Sequence, residues 1–141
     1  MTQKTIKLFL RAAISIGFLS AVADRFGLWP SGISSWGNWS SFIEYTQSML
    51  PFLPTTIAST LGIVATVAEV IIAIALLIGF KTELFAKLAG FLLLLFAVSM
   101  AISFGIKAPF DYSVFSASAA AFALNTIKEK YIELDTIILK V

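Results

Sequence analysis

The sequence contains no cysteine and no histidine among its 141 residues. Without these side chains the chain has no disulfide, no thiolate nucleophile, no bis-histidine haem and none of the usual zinc sites of its own. No glycine-rich phosphate loop or helical metalloprotease motif occurs either. We therefore predict no metal site, and any redox role would need a bound organic cofactor or a partner subunit.

Charge is also scarce. Asp, Glu, Lys and Arg make up only 13% of the residues, whereas 59% are hydrophobic, a balance far from that of soluble proteins. The net charge of +2 is too small to indicate a nucleic-acid partner. The composition predicts an integral membrane protein whose main partner is the lipid bilayer, built as a single domain over residues 1–141.

Long apolar stretches predict four membrane spans, at about residues 6–23, 55–80, 84–106 and 110–127. Roughly 20 helical residues cross a bilayer, so we predict an all-α fold, a four-transmembrane-helix bundle. The basic start and the Ala21-Val22-Ala23 segment also resemble a cleavable signal peptide. Because Arg11 interrupts the first apolar run, we favour a membrane helix there.

The one long connection, residues 26–54, mixes turn formers with aromatic residues. Ser41 and Glu44 have the spacing of a capping box, which predicts the start of a short helix. Trp36 and Trp39 are typical of side chains at headgroup depth. We therefore expect a short interfacial helix in the loop between helices 1 and 2.

Basic residues predict the orientation, since lysine and arginine are retained on the cytoplasmic side of membranes. Arg25 and Lys107 fall on one side of the predicted bundle. The other basic residues fall on the opposite side: Lys4, Lys7, Arg11, Lys81, Lys87, Lys128, Lys130 and Lys140. Both termini are therefore expected in the cytoplasm.

Glu69 is the only ionisable residue in the second predicted span and lies close to its middle. A carboxylate at that depth costs about 2.5 to 3.5 kcal/mol unless it is paired, protonated or hydrated. We predict a buried polar core in which Arg11 of the first span pairs with Glu69. This pair could simply fix the register of the helices, or it could line a cavity for a ligand or a proton.

A second group of polar side chains is predicted at the outer ends of the helices, beneath the tryptophan-bearing loop. Its members are Asp24, Arg25, Lys107, Asp111 and Tyr112, with Trp36 and Trp39 above them. Further polar positions that could line a pocket inward from this mouth are Ser99, Ser103, Ser118 and Asn125. The alternatives are solvated charges and tryptophans that only anchor the protein in the membrane.

The order of these features resembles the DoxX-like family of small bacterial membrane proteins. The resemblance rests on Arg11, on the segment AVADRFGLWP, on Glu69 followed by LLIGFKTELFAKLAG, and on GIKAPFDYSVFSASAAAF, and it covers about residues 6–125. It implies a four-helix bundle in the bacterial inner membrane. It also implies a link to quinone-coupled sulfur oxidation or to redox and oxidative-stress complexes. Many members have no assigned activity, and no catalytic residue is carried over.

Three functional hypotheses follow. The first is a membrane subunit of a redox system that binds a quinone or a similar lipophilic molecule in the bundle, next to a redox partner subunit. The second is a non-catalytic structural or assembly partner, or a homo-oligomer, whose buried charges serve helix register. The third, a small proton-coupled transporter, is disfavoured because four helices leave little room for alternating access. The sequence leaves open whether the protein is an enzyme.

Overall fold

The computed structural model describes residues 2–138, and this part of the chain is about 75% helical and contains no strand. The helices are α1 (Gln3–Arg25), α2 (Trp39–Met49), α3 (Thr55–Ile78), α4 (Thr82–Phe104), α5 (Lys107–Asp111), α6 (Val114–Thr126) and α7 (Asp135–Ile138). Three of them, α1, α3 and α4, are long and apolar enough to cross a membrane. The prediction of an all-α fold is confirmed for this part of the chain, and the three long apolar helices are compatible with the predicted multi-pass membrane protein.

The predicted fourth span, 110–127, is divided into α5 and α6. The break falls at Tyr112 and Ser113, and Ser113 has a left-handed backbone with φ +55°. A left-handed residue cannot continue a right-handed helix, so the apolar helix that follows has only 13 residues.

Local hydrogen bonds and backbone conformation determine where two of the helices begin or end. The side chain of Asn38 accepts a hydrogen bond from the Ser41 amide at 2.9 Å, so α2 begins at Trp39. The predicted capping box on Ser41 is therefore wrong, because Asn38 supplies the N-cap three residues earlier. Helix α3 ends at Gly79, which takes the left-handed conformation with φ +72°. The Phe80 amide then donates a hydrogen bond to the Ala75 carbonyl.

Small residues let the helices approach each other closely. Gly90 of α4 faces the ring of Phe122 on α6, and the Ser118 hydroxyl donates to the Gly90 carbonyl at 2.8 Å. Gly62 of α3 faces the side chains of Phe42 and Ile43 on α2. A Cβ atom at Gly90 would lie 2.8 Å from the Phe122 ring and one at Gly62 would lie 3.1 Å from Ile43 Cδ1, so a larger residue at either position requires the facing side chains to shift.

The helices pack around a common core, and their outer surfaces are apolar. The core contains the buried side chains of Ile14, Phe18, Ile72, Ala73, Leu76, Ala86, Ala89, Ala121 and Leu124. Large apolar side chains are also exposed along α3 from Ile57 to Ile78 and along α4 from Leu84 to Phe104. Exposed apolar surface of this extent is typical of a protein surrounded by lipid.

Candidate functional site

Glu69 of α3 and Arg25, the last residue of α1, form a buried ion pair. The Arg25 Nη1 atom lies 2.7 Å from Glu69 Oε2, and Nη2 donates to Glu69 Oε1 at 2.9 Å. Their side chains are only 1% and 4% exposed. Nη1 also donates to the Thr66 hydroxyl at 2.6 Å, and that hydroxyl donates to the Gly62 carbonyl. This chain of contacts gives both charges partners inside an apolar protein.

Aromatic rings cover the pair from the side of α2 and the loop before it. The Arg25 Cζ atom lies 4.1 Å from the centre of the Phe42 ring and 5.4 Å from that of Trp36. The two rings meet edge to face, with centres 5.3 Å apart. A cation against aromatic faces is stabilised by the ring quadrupoles, so the cover favours a charged guanidinium and shields it from lipid.

The prediction that Arg11 pairs with Glu69 is wrong. Arg11 is buried, as expected, but its guanidinium donates to backbone carbonyls. It binds Leu76 O at 2.8 Å and Leu77 O at 2.9 Å at the end of α3, and Tyr131 O and Ile132 O at 3.0 and 2.8 Å. The last carbonyls of a helix have no partner within it, so α3 offers Arg11 nearer acceptors than Glu69.

Asp24 points away from the ion pair and binds the loop. Its carboxylate accepts from the amides of Ser35, Trp36 and Gly37 at 2.8, 3.1 and 3.3 Å, and from the Ser34 hydroxyl. The loop therefore folds back on the end of α1. Gly27 makes this possible, because a Cβ atom there would lie 2.9 Å from the Gly37 carbonyl oxygen.

The other residues of the predicted outer mouth have different partners. Lys107 and Asp111 form an exposed i,i+4 pair at 2.6 Å, and Tyr112 is exposed. Trp39 stacks on Phe26 with ring centres 5.6 Å apart. Asp24, Arg25, Trp36 and Trp39 thus gather at the loop, whereas Lys107 and Asp111 bind each other on the surface.

Two of the four predicted pocket-lining residues join neighbouring helices. Ser103 donates to Met49 O at 2.6 Å and ties α4 to the end of α2, and Ser118 joins α6 to α4. Asn125 is half-buried and its carbonyl accepts from Lys128. Ser99 is half-buried on α4. Two of these hydroxyls therefore bind backbone carbonyls of neighbouring helices.

A buried ionic cluster at the opposite end of the helices was not predicted from the sequence. Lys7 is fully buried and lies 2.6 Å from Glu133 Oε1, while its Nζ also donates to Glu129 O. Asp135 accepts from the Lys81 amide at 2.9 Å and pairs with Lys130 at 3.3 Å. Lys7 lies more than 100 positions from its partners and Lys81 lies 54 positions from Asp135, so no short sequence pattern connects the cluster.

The cluster docks the segment 129–135 onto the start of α1 and the turn between α3 and α4. Burial opposes ionisation of Asp135, but its hydrogen bonds from Lys81 and Lys130 and the charge of Lys130 outweigh burial and hold the pKa below its usual value. Burial likewise opposes the charge on Lys130, yet Asp135 and Glu133 raise its pKa. Lys140, which entered the orientation count, lies outside the described residues.

A groove of about 350 Å³ lies between α1 and the loop, and its lining includes Asp24, the neighbour of Arg25, and Trp36, which contacts the Arg25 guanidinium. Small residues of α1 form one wall and aromatic residues of the loop form the other. The lining residues are Gly17, Ser20, Ala21, Asp24, Trp29, Ile33, Ser35 and Trp36. The Trp29 indole N–H donates to Ser20 O at 3.1 Å and holds the two walls together. The size is within the range of small-molecule sites.

Comparison with known proteins gives no relative: no family model, no curated protein and no solved structure matches the chain. The resemblance to the DoxX-like family therefore stays a prediction. The residues and geometry described above are what bears on function.

Proposed function

We propose that this chain is a DoxX-like four-helix bundle of the bacterial inner membrane that binds a quinone or a similar lipophilic ring compound. In this proposal α3 and α4 cross the bilayer, α1 enters it from the cytoplasmic side and the segment after α1 completes that crossing, and α5 together with α6 makes the fourth crossing. The short helix α2 lies at the outer side, and both termini are cytoplasmic. The protein would serve as a membrane subunit of a redox system whose electron carrier belongs to a partner.

Two observations support the membrane placement and the orientation. The exposed apolar side chains on α3 and α4 extend over most of each helix, as expected of lipid-facing surfaces. The start of α1 meets the segment after α6, since Lys4 lies 3.5 Å from Glu129. This basic end is the one that the distribution of lysine and arginine assigns to the cytoplasm.

The single observation that carries the ligand proposal is the groove between α1 and the loop. Its walls combine a flat surface of small residues, Gly17 and Ala21, with the indoles of Trp29 and Trp36. A planar quinone ring suits such a slot, because aromatic rings favour offset stacking or edge contacts. The hydroxyls of Ser20 and Ser35 could donate hydrogen bonds to the ring carbonyls. The chain itself would bind and orient the ring.

The depth of the groove favours a membrane-soluble ligand. Gly17 is six residues beyond Arg11 along α1, and Ala21 is ten residues beyond it, which is about 9 and 15 Å at the helical rise. Arg11 contacts the carbonyls at the end of α3, so the groove lies near the middle of a membrane about 30 Å thick. A ligand would reach it from the lipid.

Gly17→Leu tests the proposal. Apart from the neighbouring backbone of α1, no atom of the described chain lies within 4 Å of a Cβ built at Gly17, so a leucine has room to project into the groove, and the substitution also removes a helix-weakening glycine. Ala13→Leu is the matched control, since Ala13 is exposed one turn earlier on α1 and does not line the groove. Both variants should melt at or above the temperature of the parent.

A short-chain ubiquinone analogue is then added while melting is followed. A ligand at 100 times its Kd stabilises the folded state by about 2.7 kcal/mol. We expect this shift in the parent and in Ala13→Leu, and not in Gly17→Leu. An unresponsive parent at the solubility limit of the analogue would refute quinone binding. An equal rise in melting temperature in Gly17→Leu would show that the ligand binds at another site.

A second candidate function, assembly with another membrane protein or a second copy, is favoured by the outward face of α1. Ala13 and Gly17 are exposed there, and small residues on a lipid-facing helix allow another helix to approach closely. Cross-linking in lipid nanodiscs separates the two functions. Loss of a complex in both Ala13→Leu and Gly17→Leu supports assembly, whereas an unchanged monomer leaves ligand binding as the remaining candidate.

The transporter hypothesis gains nothing from the helix that carries Glu69. Substrate sites in transporters are commonly formed by discontinuous helices, and α3 continues from Thr55 to Ile78 as one unbroken helix. Glu69 is also paired with Arg25 through a hydrogen bond at Oε1 and an ionic contact at Oε2. We therefore keep ligand binding as the proposed function.

A further inference from the structure

The exposed apolar residues on the long helices measure the thickness of the lipid around the protein. On α3 they extend from Ile57 to Ile78, and on α4 from Leu84 to Phe104. These distances are about 32 and 30 Å at 1.5 Å per helical residue. They agree with the thickness of a hydrocarbon core, so the ends of these two stretches mark its inner and outer edges.

Helix α1 ends before it reaches the outer edge. Arg11 bonds the carbonyls of Leu76 and Leu77 and so lies at the inner edge. Arg25, the last residue of α1, is 14 residues further along, which is about 21 Å. Its contacts with Thr66 and Glu69, in the middle of α3, agree with that level. About 9 Å of hydrocarbon remain above the end of α1.

The loop that follows turns back down along α1. The Trp29 indole donates to Ser20 O, five residues before the end of α1, and Ile33 lines the same groove as Gly17. Leu28 and Ile33 are 75% and 68% exposed beside this surface. Side chains of this type at this depth would meet acyl chains.

Most backbone amides of the loop have partners within the protein. Unpaired amides are costly in hydrocarbon, so each internal hydrogen bond lowers the cost of placing irregular backbone at that depth. Asp24 accepts from three loop amides in succession. The amides of Gly27 and Leu28 donate to the last carbonyls of α1, and those of Ile33 and Ser34 donate to Pro30 O. Seven of the ten amides between 27 and 37 are thus paired within the protein, whereas those of Trp29, Ser31 and Gly32 have no hydrogen bond among the described residues.

Helix α2 then returns to the outer edge. Phe42 and Ile43 pack on Gly62, about 24 Å above the inner end of α3, while Met49 binds Ser103, about 28 Å above Leu84. Its exposed face carries Ser40, Glu44 and Ser48 at four-residue intervals. This polar face is suited to the water above the membrane.

From these levels we propose that residues 27–36 form a re-entrant loop in the outer half of the bilayer, with Leu28 and Ile33 against lipid acyl chains. Asp24 lowers the free-energy cost of this placement, because its carboxylate accepts hydrogen bonds from three loop amides. The proposal rests on the membrane placement given above but not on quinone binding.

The absence of cysteine from the chain allows a direct test. Single cysteines are introduced by Leu28→Cys and Ile33→Cys in the loop. Glu44→Cys on the polar face of α2 is the water-facing control, and Ile71→Cys, exposed in the middle of α3, is the lipid-facing control. All four positions are exposed, so the substitutions remove few contacts, and parent-like melting confirms folding.

Right-side-out vesicles are treated with a membrane-impermeant maleimide, which reacts with thiolates formed in water. Leu28→Cys and Ile33→Cys should react at least tenfold more slowly than Glu44→Cys, at the rate of Ile71→Cys. If Leu28→Cys and Ile33→Cys react at rates within twofold of Glu44→Cys while Ile71→Cys is protected, the re-entrant loop is refuted and the membrane placement of the helices stands. Fast reaction of Ile71→Cys would overturn the membrane placement as well.

Spin labels on the same cysteines give an independent depth. Oxygen is enriched and nickel complexes are depleted inside a bilayer, so their relative effects on a nitroxide report its level. Labels at 28 and 33 should lie deeper than the label at 44 by at least one helical turn, about 5 Å. Equal depths at the three positions would refute the proposal.

Discussion

The Arg25–Glu69 pair predicts that replacing both residues harms the protein no more than replacing one. Glu69→Gln leaves a buried guanidinium without its counter-ion, and Arg25→Met leaves a buried carboxylate, since both side chains are almost fully enclosed. Removing one partner of a buried pair costs about 3–5 kcal/mol. The double variant removes both charges together. If it costs as much as one single variant, the coupling between the two residues equals that single cost, about 3–5 kcal/mol.

The assay is reversible unfolding in mixed micelles as the mole fraction of SDS rises. Tryptophan fluorescence is a suitable signal, because Trp36 lies against the Arg25 guanidinium. Free energies of unfolding are measured for the parent, both single variants and the double variant. A second cycle with Arg11→Met and Glu69→Gln is the control. Arg11 donates to backbone carbonyls, so the two effects should add within about 0.5 kcal/mol.

Two results would show that the pairing is wrong. A coupling between Arg25 and Glu69 below about 0.5 kcal/mol means that the contact carries no stability. A coupling near 3 kcal/mol between Arg11 and Glu69, with none for Arg25, would restore the pairing expected from the sequence. Since all three single variants can be equally unstable, only the couplings decide.

Three further predictions concern the ends of the helices. Gly79→Ala should destabilise the protein by about 2–4 kcal/mol, because a Cβ would lie 2.6 Å from Glu133 Cα at a left-handed residue. Gly32→Ala, with open space and no positive φ, should change stability by less than about 0.5 kcal/mol in the same unfolding assay. The partners of Asp135 lower its pKa, so its ionised form stabilises the fold above about pH 3.9, and this contribution is lost as pH falls through the folded-state pKa. When melting is followed from about pH 7 to about pH 3, the melting temperature of Asp135→Asn should therefore fall less than that of the parent. Lys107→Ala should shift unfolding by no more than about 0.5 kcal/mol, because its pair is exposed, and a larger loss would indicate a role in a site.

The apolar helices could be predicted from the sequence because their signal is local. The second and third spans were expected at 55–80 and 84–106, and they are found at Thr55–Ile78 and Thr82–Phe104. The burial of Glu69 also followed from its position in an apolar run. The break at Ser113 was not predicted, since no proline or glycine marks it.

The partners of the buried charges could not be predicted in the same way. Two arginines on α1 were available to one carboxylate, and the levels of Arg11 and Arg25 relative to α3 depend on how far the helices slide past each other. The free carbonyls at the end of α3 compete for Arg11. Lys7 and Glu133 belong to distant segments. These choices depend on the packed structure and not on neighbouring residues.

The contacts of Arg11 and Lys7 also have a consequence for biosynthesis. Both side chains are translated before the segment 129–135, which holds several of their acceptors. Until that segment is translated, these two cations lack their final partners. This end of the helices is therefore completed only after α1, α3 and α4 have been made, so those helices must persist for a time with their buried cations still open to water.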